Sequence, residues 1–101
     1  MIQIMKVTGE SLSPFFLSGD YIVILKIPFF LRNLKAGDFI VFNHPVYGML
    51  IKKIDRILIE SNELFVLGTN SKSTDSRDFG PIPRRWVFGK VVTHIRGPFS
   101  E

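Results

Sequence analysis

The sequence of 101 residues contains no cysteine, which excludes a thiol nucleophile, a disulfide framework and any zinc site with cysteine ligands. It also lacks an uninterrupted run of about 18 apolar residues, because Lys26 and Pro28 break its most hydrophobic stretch, residues 21–31. No charged leader and cleavage site of a secretion signal precede the first apolar segment. We therefore expect a chain that is cytoplasmic or peripheral to a membrane, or one from which a membrane anchor was trimmed.

The charge balance is moderate, with thirteen Lys and Arg against nine Asp and Glu and a formal net charge of +4. Such a balance is typical of an ordinary protein surface and does not by itself indicate a nucleic-acid partner. With 46% hydrophobic residues and ten Phe, the chain can form one core, and we predict a single domain over residues 1–101.

The titratable residues give no sign of a metal or cofactor site. Neither His44 nor His94 has another His, Asp or Glu at the spacing of a ligand set, and no glycine-rich loop that could hold a phosphate is present. The carboxylates show no pairing typical of glycoside chemistry. We expect no metal and no cofactor.

Short segments rich in Ile, Val, Phe and Leu alternate with Gly, Pro, Asn and Asp, which predicts an all-β fold. Residues 44–48 and 60–63 have the length of hairpin connections. Consecutive hairpins of this kind predict a small coiled sheet or a partly closed β-barrel. The predicted strands cover residues 2–7, 20–26, 38–43, 49–59, 63–67 and 86–95.

Two separated segments contain the residues of a serine–lysine pair. Ser11 lies in GESLSP, residues 9–14, and Lys52 lies in the apolar run MLIKKI, residues 49–54. Serine requires a neighbouring base, but an unperturbed lysine is neutral in only about one molecule in 2,500 at pH 7. Desolvation among apolar side chains lowers a lysine pKa by up to about 3 to 5 units, which would make Lys52 a usable base. Strand alternation sends Lys52 and Lys53 to opposite faces, so only one of them can act.

A third segment, GTNSKSTDSRDFGP at residues 68–81, follows an apolar strand. The order and character of the three segments resemble the type I signal peptidases, a family of serine–lysine proteases related to self-cleaving SOS and phage repressors. This resemblance implies that Ser11 is the nucleophile, Lys52 the general base and Ser73 the hydroxyl that orients the lysine amine. It also implies that Asp75 and Arg77 form an ion pair that supports the active-site loop.

The resemblance further implies the fold of the signal peptidase catalytic core and an extended protein or peptide substrate with small residues at the cleaved bond. The substrate would lie along Met49, Leu50 and Ile51 and along the strand before the nucleophile. The sequence departs from the family pattern at Leu12, where methionine is usual, at residues 15–16, which are both Phe, and at Thr69, where aspartate is usual.

Several alternatives stay open at this point. Lys53 could replace Lys52 as the base, and the substrate could be a secretory signal peptide or a particular precursor protein. A small basic barrel that binds single-stranded nucleic acid is the alternative from another class, although we expect no nucleic-acid partner. The chain could also be a catalytically inactive relative, and peripheral membrane contact is open. A self-cleaving repressor is disfavoured, because the only Ala-Gly bond, at residues 36–37, lies after Ser11.

Overall fold

In the computed structural model, residues 2–6, 19–26, 33–68 and 74–95 are described. They form one open antiparallel sheet of seven strands in the order β1-β2-β7-β3-β4-β5-β6. A short helix, α1, and one turn of 3-10 helix precede the last strand. The elements are β1 (Ile2–Lys6), β2 (Tyr21–Leu25), β3 (Phe39–His44), β4 (Gly48–Leu58), β5 (Glu63–Leu67), α1 (Ser76–Phe79), β6 (Ile82–Pro83), the 3-10 turn (Arg84–Trp86) and β7 (Val87–Ile95).

The all-β prediction is confirmed, and the sheet is coiled without closing into a barrel. Each predicted strand agrees with an observed strand to within one residue at either end. The sequence analysis missed β6 and α1, which are too short to show a periodic pattern. No helix in the described part of the chain is long and apolar enough to cross a membrane.

Three interruptions of the strand register give the sheet its coil. In β7, Phe88 and Val92 are extra residues relative to β3 and β2 respectively, and in β4 Asp55 is extra relative to β5. A bulge of this kind bends its strand and increases the local right-handed twist. The bulges therefore curve the sheet, so that each of its faces can enclose a core.

The central strand β3 is buried on both of its faces. Ile40, Val41 and Phe42 are all fully buried although consecutive side chains of a strand point to opposite faces. Ile40 and Phe42 belong to the larger core under α1, whereas Val41 belongs to the smaller core beside β2. The larger core contains Leu34, Ile40, Phe42, Ile54, Leu64, Val66, Ile82 and Val87, and the smaller contains Ile22, Ile24 and Val41.

Gly89 allows β7 to pass close to β2. A Cβ atom at this position would overlap Cγ2 of Ile24 and lie 2.9 Å from the backbone oxygen of Leu25. Ile24 is fully buried and the other atom belongs to the backbone, so neither can move aside easily. Glycine is therefore required here by the close approach of the two strands.

We predict that Gly89→Ala lowers the free energy of unfolding by roughly 1 to 3 kcal/mol, because it overpacks the β2–β7 contact. Chemical denaturation of Gly89→Ala, Ile24→Ala and the double variant measures the effect. The double variant should lose less than the sum of the two single losses, since removal of the Ile24 side chain relieves part of the overlap. If Gly89→Ala had the same free energy of unfolding as wild type, this would contradict the close approach of β7 to β2 at Gly89.

Candidate active site

Lys52 lies in the middle of β4 and is only 2% exposed. Its partner across the strand pair is Ile40, and Ile54, two residues further along β4, points to the same face. Both isoleucines belong to the larger core. Lys52 therefore has the apolar surroundings that the sequence predicts. Its catalytic role stays a prediction.

The neighbouring Lys53 points to the other face and is half-buried. Its amine lies 6.0 Å from the ring centre of Phe39, its cross-strand partner. The two lysines therefore lie in different environments, one buried against the larger core and the other half-buried on the opposite face of β4.

Burial lowers the pKa of Lys52 below its ordinary value of 10.5, because the charged amine loses its hydration in the core. The Asp75 carboxylate opposes this effect and raises the pKa, whereas the Arg77 guanidinium lowers it further. Asp78 also raises the pKa of Lys52, with the smallest effect of the four. Burial prevails, so the neutral amine that a general base requires is favoured relative to an exposed lysine.

Asp75 is fully buried and links the end of β5 to the start of α1. Its two carboxylate oxygens accept hydrogen bonds from Arg77, 2.9 Å from Nε and 2.7 Å from Nη2. One oxygen also accepts the backbone N–H of Gly68 at 2.9 Å, where β5 has just ended. The other accepts the backbone N–H of Arg77 at 3.0 Å and so caps α1.

Burial alone would raise the pKa of Asp75, but the hydrogen bonds from Arg77 and Gly68 outweigh it and lower that pKa below its ordinary value. The ion pair expected between Asp75 and Arg77 thus exists in the structure. Its contribution to an active site stays a prediction.

Ser76 is a buried residue to which the sequence analysis assigned no role. Its Oγ accepts the backbone N–H of Val66 in β5 at 2.9 Å, which fastens the start of α1 to the sheet. Asp78 completes a capping box, since its carboxylate accepts the backbone N–H of Asp75 at 3.1 Å. The spacing Asp75-x-x-Asp78 is a sequence signal for the start of α1, which the sequence analysis missed.

The predicted substrate residues lie on an edge of β4 with which no described strand pairs, here termed the open edge. Strand β3 pairs with β4 from Gly48 to Lys53, but β5 pairs with β4 only from Lys53 to Leu58. The second edge of residues 48–52 is therefore not paired by any described strand. Met49, Leu50 and Ile51 lie on this open edge, which offers backbone groups to an extended peptide.

A cavity of about 570 Å³ opens beside this region, where Gly68 follows β5 and the turn at residues 36–37 approaches β4. Lys53 and Ile54 line the cavity, but Lys52 does not. Because Lys52 does not line this cavity, we do not assign the cavity to the serine–lysine chemistry.

Two of the three predicted catalytic residues, Ser11 and Ser73, lie outside the described residues, as do the departures at Leu12, residues 15–16 and Thr69. Of the predicted site residues that are described, Asp75 and Arg77 lie near enough to Lys52 to influence its pKa. Within the described ranges, no group of three or more His, Cys, Asp or Glu side chains could hold a metal ion.

We predict that Asp75→Asn lowers the free energy of unfolding by roughly 1 to 3 kcal/mol near pH 7, because the amide cannot accept the paired bonds from Arg77 as a carboxylate does. The folded pKa of Asp75 is depressed, so its stabilisation is present above the unfolded pKa of about 3.9 and is lost as pH falls below it. Thermal unfolding from pH 7 to pH 2 should show the two proteins converging in acid.

Asp78→Asn is the matched control for this measurement, because Asp78 is exposed and, among the described residues, accepts a backbone N–H rather than a paired bond from Arg77. It should lose less stability than Asp75→Asn at neutral pH. A difference between wild type and Asp75→Asn that stays constant down to pH 2 would contradict the role given to the charged carboxylate.

A comparison with protein families matches residues 51–95 to the family described as "Signal peptidase, peptidase S26". The matched segment includes Lys52, Asp75 and Arg77 and ends with β7. No curated protein matches the chain. The family match supports a signal peptidase-like protein and, in general terms, a peptidase.

Proposed function

We propose that this protein is a serine endopeptidase in which Ser11 is the nucleophile and Lys52 the general base. The observation that carries the proposal is the burial of the Lys52 amine in the larger core, with a pKa below that of an exposed lysine. The family match over residues 51–95 supports the same class of protein.

In the proposed reaction, the neutral amine of Lys52 takes the proton of the Ser11 hydroxyl as Oγ attacks the carbonyl carbon of the scissile bond. Lys52 then gives this proton to the leaving amine, and an acyl-enzyme ester on Ser11 remains. Water hydrolyses the ester with Lys52 again acting as the base. The backbone N–H of Ser11 stabilises the oxyanion, and the Ser73 hydroxyl orients the amine.

The substrate in this proposal is a protein or peptide in extended conformation. The open edge of β4 supports an extended substrate, since Met49, Leu50 and Ile51 could pair with a substrate strand whose scissile bond lies beside Lys52. Small residues such as Ala at the cleaved bond are implied by the family resemblance. Both secretory signal peptides and individual precursor proteins fit this description.

We predict that Ser11→Ala abolishes cleavage and changes the free energy of unfolding by no more than about 1 kcal/mol. Mass spectrometry of a panel of precursor peptides, incubated with each protein, detects the products. Ser13→Ala is the matched control, because Ser13 lies in the same segment but does not match the nucleophile position, and it should remain active. Cleavage by purified Ser11→Ala would exclude Ser11 as the nucleophile, and a panel that wild type leaves intact would favour an inactive relative.

We predict that Lys52→Met lowers kcat/KM by about 100- to 10,000-fold, since methionine keeps the bulk but cannot accept a proton. In wild type, kcat/KM should rise with pH through a transition below 10.5 and should survive metal chelators. Initial rates on a peptide with Ala at the cleaved bond provide the measurement. Lys53→Met is the matched control, and activity lost in that variant but kept in Lys52→Met would reassign the base.

The stability of Lys52→Met provides a second readout of the same pKa. Because the folded pKa of Lys52 is depressed, the unfolded chain binds more protons below pH 10.5, and the stability of wild type rises with pH. Lys52→Met removes this dependence, so it should be more stable than wild type near neutral pH, with a gain that shrinks toward pH 10.

A further inference from the structure

The turn between β3 and β4 presents two neighbouring exposed apolar side chains. Val46 is 78% exposed and Tyr47 51%, and these two residues are here termed the hairpin patch. No residue from 45 to 51 is charged. Single exposed apolar residues are common, but two neighbouring ones in a turn that carries no charged residue offer a contact for an apolar group of a ligand.

The turn that carries the hairpin patch is held in place by His44. Its Nδ1 atom accepts the backbone N–H groups of Val46 at 3.0 Å and Tyr47 at 3.3 Å. The imidazole ring also lies 4.7 Å from the ring of Phe79 in α1 and 5.5 Å from that of Trp86, measured between centroids. A surface fixed in this way loses little conformational freedom when a ligand binds.

The hairpin patch continues the open edge of β4. Residues 48–52 lack a partner on that edge among the described strands, and the edge leads directly to Tyr47. The five residue-to-residue steps from Lys52 back to Tyr47 span about 17 Å at the rise of a β-strand. An extended peptide whose scissile bond lies at Lys52 therefore reaches the patch with residues about four to six positions from that bond.

We propose that the hairpin patch is a substrate subsite for an apolar side chain located about four to six residues from the cleaved bond. This assignment rests on the proposed function, because it takes Lys52 as the position of the bond. No charged residue belongs to the turn itself, and an apolar side chain bound there would bury part of Val46 and Tyr47 without the loss of hydration that a charged side chain would suffer.

The test uses extended peptides with Ala at the cleaved bond and with Leu, Ser or Asp at one position four, five or six residues away, on either side. Wild type should cleave the best Leu peptide with a KM about 5- to 10-fold lower than the matching Ser peptide, because leucine buries part of the patch. The ratio between these peptides should fall toward one in Tyr47→Ser and in Val46→Ser.

Ile59→Ser is the matched control, since Ile59 is 86% exposed beyond the opposite end of β4. This variant should keep the wild-type preference for Leu. Equal KM values for Leu and Ser peptides in wild type would overturn the subsite, and so would a preference that persists in Tyr47→Ser combined with Val46→Ser.

A binding measurement separates the subsite from the proposed catalysis. Trp86 is the only tryptophan of the chain and contacts His44, so its fluorescence reports on the hairpin. Titration of Ser11→Ala with the same peptides should give a Kd about 5- to 10-fold lower for Leu than for Ser, and Tyr47→Ser should remove the difference.

The cleavage and binding measurements together show which of the two proposals fails. Binding that prefers Leu without any cleavage by wild type would retain the hairpin patch as a peptide site and reject the protease. Cleavage without a preference for Leu in either measurement would retain the protease and reject the subsite. Absence of both binding and cleavage would overturn both proposals.

Discussion

The burial of one lysine amine is the constraint on which the candidate site depends. Lys52 occupies a core position of β4 opposite Ile40, where an apolar side chain would avoid the cost of desolvating an ammonium group. Single domains have net stabilities of only about 5 to 15 kcal/mol, so a buried lysine is expensive for a fold of this size. If Lys52 served only for packing, an apolar residue of similar volume could replace it without loss of folding stability. The position therefore favours a chemical role for the amine over a structural role.

The ion pair next to Lys52 keeps the local charge nearly balanced. Asp75 raises the pKa of Lys52 and Arg77 lowers it, so the two effects oppose each other. An unpaired carboxylate at this place would favour the ammonium form and would work against a neutral base. Arg77 thus has two consequences: it stabilises the buried Asp75 carboxylate, and it limits the effect of that carboxylate on the lysine. This arrangement leaves burial as the dominant influence on the Lys52 amine.

The sequence predicted the parts of the structure that depend on local pattern. Each long strand was visible as an apolar segment with turn residues at its ends, and the opposite orientations of Lys52 and Lys53 follow from strand alternation. The bulges at Phe88 and Val92 were not predictable, because they appear only when strands distant in sequence pair. The hydrogen bond between Ser76 and Val66 was missed for the same reason, since it joins residues across the β5–α1 connection.

A single short helix connects the candidate base with the hairpin patch. The N-terminal end of α1 is fixed by Asp75 and Ser76, close enough to Lys52 for Asp75 to influence its pKa. The C-terminal residue of the helix, Phe79, contacts the rings of His44 and Tyr47. Because α1 has only four residues, Asp75 near the base and the turn at the start of β4 are positioned by the two ends of the same short helix. A peptide bound along the open edge would therefore meet two fixed points, and the register between them would be set by the fold before the peptide arrives.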